Sequence, residues 1–202
     1  MPSYSPRRDR ELVQIVDSAF ADAARRSGKW LLCRPGCTQC CIGVFAINAL
    51  DAVRLKEGLE HLERLAPERA TRVRERARDA AFRLSQGFPG DPVSGLLDES
   101  DEAGRRFADF ANEEPCPALD PDTGRCDLYE SRPMTCRVFG PPLRSEEGLG
   151  VCELCFHGAT DEEIAACEIN PDPDDLESTL VQEVEKASGA QGKTIVAFCL
   201  TS

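Results

Sequence analysis

Four cysteines, Cys33, Cys37, Cys40 and Cys41, fall within nine residues, and this crowding constrains the chain more than any other feature. Seven more follow at 116, 126, 136, 152, 155, 167 and 199, making eleven in 202 residues. Thiols at this density have three uses: disulfides, small buried apolar groups, or ligands for a soft metal. The surroundings of the first group decide among them. Cys33-Arg34-Pro35-Gly36-Cys37-Thr38-Gln39-Cys40-Cys41 contains a proline and a glycine and lies on no apolar stripe, so it reads as a loop that turns its sulfurs inward.

The opening residues, Met1-Pro2-Ser3-Tyr4-Ser5-Pro6-Arg7-Arg8, lead straight into an amphipathic segment. They show no apolar run of signal-peptide or membrane-spanning length. The expected location is therefore cytoplasmic, where structural disulfides are kept reduced and many cysteines point to metal ligation or redox chemistry. The charge balance narrows the partners. With 24 basic against 36 acidic residues the formal charge is −12, which argues against nucleic acid and against an anionic membrane. A protein partner of unknown identity is the remaining expectation. Arg69, Arg72, Arg74, Arg76 and Arg78 cluster on one segment and read as a solvated helix face.

Hydrophobic periodicity gives a mostly α chain. Leu12, Ile15, Val16, Ala19, Phe20 and Ala23 predict an amphipathic helix over 9–27 that stops near Gly28. Asn48 with Asp51 marks a helix start, and Leu55, Leu59, Leu62 and Leu65 give that helix one apolar face. Pro67 suits the first position of the next helix, with Ala70, Val73, Ala77, Ala80 and Leu84 inward. Residues 86–97 read as a loop, and an acidic helix over 98–112 buries Phe107 and Phe110. Cys116 to Leu128 reads as a small hairpin around the turn at 120–124. Pro133 opens a short helix carrying Cys136. Thr160 and Glu163 cap another that reaches Cys167. A helix over 173–188 precedes a terminal run at 193–200 that suggests a strand. The expected architecture is one compact helical domain over 1–202, with cysteine-rich segments 33–41 and 116–167 built around a metal site.

Metal ligation needs several soft donors converging on one centre, four for zinc and commonly four for an iron–sulfur cluster. Cys37-x-x-Cys40 and Cys152-x-x-Cys155 have the spacing with which a tight turn aims two sulfurs the same way. Adjacent Cys40 and Cys41 suit different atoms of a multinuclear centre, or one ligand and one packing group. Cys116, Cys126 and Cys136 add three thiols at intervals of ten positions. The candidate ligands are thus Cys33, Cys37, Cys40, Cys41, Cys116, Cys126, Cys136, Cys152 and Cys155, in one site or two. Cys167 stays undecided, Cys199 reads as a core residue, and His61 as a helix-surface residue.

Two segments carry a resemblance. Cys37-Thr38-Gln39-Cys40-Cys41, preceded by Cys33, resembles the CxxCxxCC signature of the YkgJ-type cysteine-cluster family. Cys116-Pro117-Ala118-Leu119, Gly124-Arg125-Cys126-Asp127-Leu128-Tyr129 and Arg132-Pro133-Met134-Thr135-Cys136-Arg137 are similar to that family's downstream motif. The resemblance covers about residues 30–156 and implies chelation of zinc or iron, with Cys37, Cys40, Cys41, Cys116, Cys126 and Cys136 in one site. The chain departs from the pattern in placing three residues between Cys33 and Cys37. Arg132 and Arg137 can offset thiolate charge or pair with nearby Asp127 or Glu130.

The leading functional expectation is an iron–sulfur cluster on cysteine thiolates with a redox role. It is supported by the thiol count, the adjacent pair and the scarcity of histidine. A structural zinc site is the second reading. The third comes from the resemblance alone: some relatives are flagellin lysine N-methylases that use S-adenosylmethionine. Cys33, Cys37 and Cys40 also match the cluster spacing of radical S-adenosylmethionine enzymes, but the chain lacks the alternating strand–helix series of their barrel. No Gly-rich nucleotide loop, HExxH or serine nucleophile elbow is present.

Overall fold

The computed structural model describes residues 5–34, 36–145, 148–189 and 191–201. They form eight α-helices and eight very short strands, a mostly α chain as the periodicity predicts. The helices are α1 (Pro6–Ser27), α2 (Ala49–Leu65), α3 (Pro67–Leu84), α4 (Asp101–Ala108), α5 (Met134–Val138), α6 (Asp161–Ala165), α7 (Leu176–Ser188) and α8 (Val196–Cys199). The strands form antiparallel two-stranded ladders: β1 (Ala46–Ile47) with β8 (Thr194–Ile195), β2 (Gly90–Asp91) with β3 (Leu96–Leu97), β4 (Leu119–Asp120) with β5 (Arg125–Cys126), and β6 (Leu143–Ser145) with β7 (Gly148–Gly150). No helix among the described residues is long and apolar enough to cross a membrane. The chain divides into two compact units, each assembled from separate stretches.

The first unit comprises Met1–Pro35 and Met134–Ala187. Its long element is α1, which begins at Pro6, where a missing N–H costs no helical hydrogen bond, and ends at Gly28 with φ +49°. Leu12, Val16 and Ala23 of α1 are buried, and the Ser27 hydroxyl donates back to the Ala23 carbonyl at 2.7 Å. Helix α5 packs on α1. The buried Arg137 guanidinium of α5 donates to both Asp17 carboxylate oxygens, at 3.0 and 3.1 Å. Arg8 of α1 pairs with Glu183 of α7. Thr160 and Glu163 form a complete capping box at the start of α6, as their spacing predicts. Helix α6 ends at Ala165, and Cys167 follows in a turn closed by its N–H to the Ile164 carbonyl at 3.0 Å.

The second unit comprises Gly36–Pro133 and Ser188–Ser202. Asn48 caps α2, its side chain accepting from the Asp51 N–H at 2.9 Å, and Pro67 opens α3 after the single linking residue Ala66. Leu55, Leu59 and Leu62 of α2 bury against Ala70, Val73 and Ala77 of α3, the small alanines allowing close helix approach. Val196, Cys199 and Leu200 complete this core. The terminal run is therefore a two-residue strand followed by a helical turn. Its Val196, Ala197, Cys199 and Leu200 are all buried, which leaves no alternation for a longer strand to exploit. A second packed group gathers Phe88, Phe107, Phe110 and Phe198 around Ala80 and Leu84. The expected loop at 86–97 contains the β2–β3 hairpin.

A cysteine cluster on the β4–β5 hairpin

In the second unit, the β4–β5 hairpin is laid on the α2–α3 core. Ala118 and Leu128 are buried in that core, and Cys116 and Cys126 pack against it. The register sets Cys126 opposite Leu119, so the hairpin brings Cys116 and Cys126 to the same small structure. The first cysteine segment is then tied on. Cys116 N–H donates to the Cys41 carbonyl at 2.7 Å, and Ile42 bridges to Pro115. Gln39–Cys41 is a single 3-10 turn, held by Cys41 N–H to the Thr38 carbonyl at 2.7 Å. These backbone bonds place Cys40, Cys41, Cys116 and Cys126 within electrostatic reach of one another.

The environment of each sulfur follows from this placement. Cys40 and Cys41 sulfurs are 4.0 Å apart. A hydrogen bond from the Cys41 thiol, aided by the positive Arg132, brings Cys40 down to about 7. The same bond, burial and the negative charge of ionised neighbours hold Cys41 well above the ordinary thiol range. Burial pushes Cys116 up to about 12, while the N–H groups of Ala118 and Leu119 oppose that rise by pointing at its sulfur. Burial likewise pushes Cys126 up to about 11, opposed by the N–H of Leu128 and by Arg132. Amides directed at sulfur two and three residues back favour the thiolate, the form a metal binds.

Arg132 lies over the Tyr129 ring, 3.9 Å from its centroid, and donates to the Tyr129 carbonyl at 3.1 Å. The sequence suggested Arg132 as a thiolate neighbour, and its field does act on Cys40 and Cys126. A feature that sequence reading missed fixes the far end of the hairpin. Asp127, beside Cys126, accepts from Arg69 at 2.7 Å and Arg76 at 2.7 Å, with its side chain only 4% exposed. Arg76 also donates to the Pro117 carbonyl at 2.9 Å. The spacing of seven between these arginines, two helical turns, was the available signal.

The other candidates are distributed as follows. Cys37 belongs to the second unit and is half-buried; its neighbours Gly36 and Thr38 lie against Gly124 in the β4–β5 turn. Cys33, Cys136, Cys152 and Cys155 belong to the first unit, Cys136 on α5. Cys199 is buried in the second unit's core, as expected, and His157 is exposed. Among the described residues, no group of three or more His, Cys, Asp or Glu side chains is arranged so that it could already hold a metal ion. The four thiols share a neighbourhood and not a finished coordination sphere. Their chemistry nevertheless fits one: an all-sulfur donor set, crowded enough to resist ionisation alone, with amides and an arginine placed to favour thiolates.

Such a site defines a class of protein whose chemistry resides in grouped thiols. The chain belongs to the CxxCxxCC family, described as a "putative zinc- or iron-chelating domain", whose profile matches residues 32–156. No curated protein and no solved structure matches it.

Proposed function

We propose that the second unit is a metal-binding module in which Cys40, Cys41, Cys116 and Cys126 hold one ion, with zinc as the favoured occupant. The observation that carries this reading is the convergence of four thiols, two of which have backbone amides aimed at their sulfurs. A dication offsets the burial and mutual repulsion that otherwise keep three of these groups protonated. At a zinc–sulfur distance of about 2.3 Å the edge of a tetrahedron is about 3.8 Å. The 4.0 Å between the Cys40 and Cys41 sulfurs lies close to that edge. This separation supports a mononuclear centre over a cubane cluster, in which adjacent thiolates sit on different metal atoms. A bound ion would staple the loop at 36–41 to the hairpin and add directly to folding stability.

An iron–sulfur centre, the leading expectation from the sequence, becomes the second reading, because a two-iron cluster also places two thiolates on one iron and the thiol-only donor set suits it equally. Metal analysis and visible spectroscopy of anaerobically purified protein test both. Zinc in a colourless protein is the expected result; broad visible absorption with stoichiometric iron and sulfide transfers the site to the cluster reading. Cys40→Ser is expected to lower the metal content by one centre per chain. Unchanged metal in that variant overturns the assignment.

A further inference from the structure

The first unit contains a separate group of thiols. Cys152, Cys155 and Cys167 are buried and pack in one cluster with Phe156, Trp30 and Leu31. Buried thiols alone are unremarkable small apolar groups. Three features around these go beyond packing.

The Cys152–Cys155 segment is a tight turn closed by Cys155 N–H to the Cys152 carbonyl at 2.8 Å. The next residue, Phe156, has φ +60°, a left-handed conformation that costs a residue with a β-carbon about 1 kcal/mol or more. It is held there by its N–H bond to the Trp30 carbonyl at 2.9 Å. Second, the Leu32 N–H is aimed at the Cys155 sulfur, 3.5 Å away. Such an amide contributes little to a neutral thiol and much more to a thiolate. Third, Gly140 has φ +128°, and a β-carbon there would stand 2.8 Å from the Cys33 sulfur. The Gly140 carbonyl accepts from Cys152 N–H at 3.4 Å, so Cys33 and Cys152 flank the same residue. Cys33 is exposed and offers an ion a path from solvent.

From this arrangement we infer that the Cys152–Cys155 turn, Cys167 and Cys33 form a second thiolate site, selective for a soft divalent cation such as zinc. The site lies wholly within the first unit and is independent of the four-cysteine reading above. Cys167 falls beyond the segment matched by the family profile. Binding forms metal–sulfur bonds and releases the thiol protons to solvent, with no change of oxidation state.

The test uses the full chain, stripped of metal under anaerobic conditions and titrated with cobalt(II), whose thiolate charge-transfer absorption counts sulfur-ligated ions. The wild type is expected to bind about two equivalents, Cys167→Ser about one, Cys40→Ser about one, and the double variant none. Cys167→Ser that still binds as much cobalt as the wild type overturns this site and leaves the other untouched. Cys40→Ser that retains both equivalents, with Cys167→Ser losing one, overturns the other and leaves this one standing. Alkylation of the wild type provides a check that needs no variant. Exposed Cys33 is expected to be protected with zinc present and labelled after chelation; equal labelling of Cys33 in both states overturns the proposal.

Discussion

Arg76 of α3 grips the open end of the cysteine hairpin from both sides, donating to the Asp127 carboxylate at 2.7 Å and to the Pro117 carbonyl at 2.9 Å. Pro117 follows Cys116 and Asp127 follows Cys126, so one guanidinium sets the separation of two candidate ligands. Arg69 adds a second pair of bonds to the same carboxylate, at 3.0 and 2.7 Å. A run of arginines that reads in sequence as a solvated face thus positions the site from behind.

Removing Asp127 should therefore weaken the fold and the site together. Its side chain is 4% exposed, but Arg69 is 49% exposed and partly screened by water. The cost of Asp127→Ala is accordingly below that of a fully buried pair, about 1–3 kcal/mol. Chemical denaturation of the metal-free protein measures it. Arg76→Ala leaves Arg69 on the Asp127 carboxylate and should cost less; an equal or larger loss would mean that Arg69 contributes nothing to holding Asp127.

Gly58 reverses the usual expectation for a glycine inside a helix. Replacing such a glycine by alanine ordinarily stabilises by about 1 kcal/mol. Here a β-carbon would sit 2.3 Å from the Ser131 hydroxyl oxygen and 2.4 Å from its β-carbon, because the turn at Tyr129–Ser131 crosses α2 at this point. Gly58→Ala should instead destabilise by about 1–3 kcal/mol through overpacking. Adding Ser131→Gly should recover part of the loss in thermal denaturation, which a pure helix-propensity effect would not do.

Local signals were legible because they act over three or four residues. Asn48 with Asp51, Pro67, and Thr160 with Glu163 each mark a helix start that the structure contains. The helix expected over 98–112 is shorter, Asp101–Ala108, because Ser100 caps it late and Ala111 turns to φ +53°. The Ala111 carbonyl then accepts from the Val44 and Glu114 N–H groups, a demand made by a distant segment. The cysteine count announced thiol chemistry, but not which thiols meet. That partition depends on long-range contacts, such as Cys41 with Cys116, and on amides aimed at sulfur, neither of which leaves a periodic trace in sequence. The β6–β7 hairpin was missed for a related reason: Leu143–Ser145 and Gly148–Gly150 are too short to show alternation.

Metal uptake at the four-cysteine site should strengthen steeply with pH. Near neutral pH, Cys116 at about 12, Cys126 at about 11 and the elevated Cys41 are protonated, whereas Cys40 at about 7 is partly ionised. Binding one ion must then release roughly three protons, so the apparent affinity rises about a thousandfold per pH unit until these thiols ionise. Without metal the sign is opposite. For Cys116 and Cys126 the folded values lie above those of the unfolded chain, so their contribution to stability is complete below about pH 8.5 and is lost as pH rises through 11 to 12. Proton release on zinc addition, followed with a pH indicator in weak buffer, measures the first. Alkaline denaturation of the stripped protein measures the second.

Thiol reactivity should separate Cys33 from Cys199 in the metal-free protein. Cys33 is exposed, and its thiol donates to the Phe139 carbonyl at 3.9 Å. Cys199 is buried in the α2–α3 core, its thiol directed to the Ala52 carbonyl at 3.5 Å, and burial pushes it up to about 11. Since the thiolate is the nucleophile, the raised pKa and burial act in the same direction on Cys199. Brief iodoacetamide treatment at pH 8, read by peptide mass spectrometry, should modify Cys33 early and leave Cys199 intact until denaturant is added. Early modification of Cys199 would mean that α8 opens readily from the core. In that case Cys199→Ala should leave stability nearly unchanged, where a well-packed core position loses about 1 kcal/mol or more.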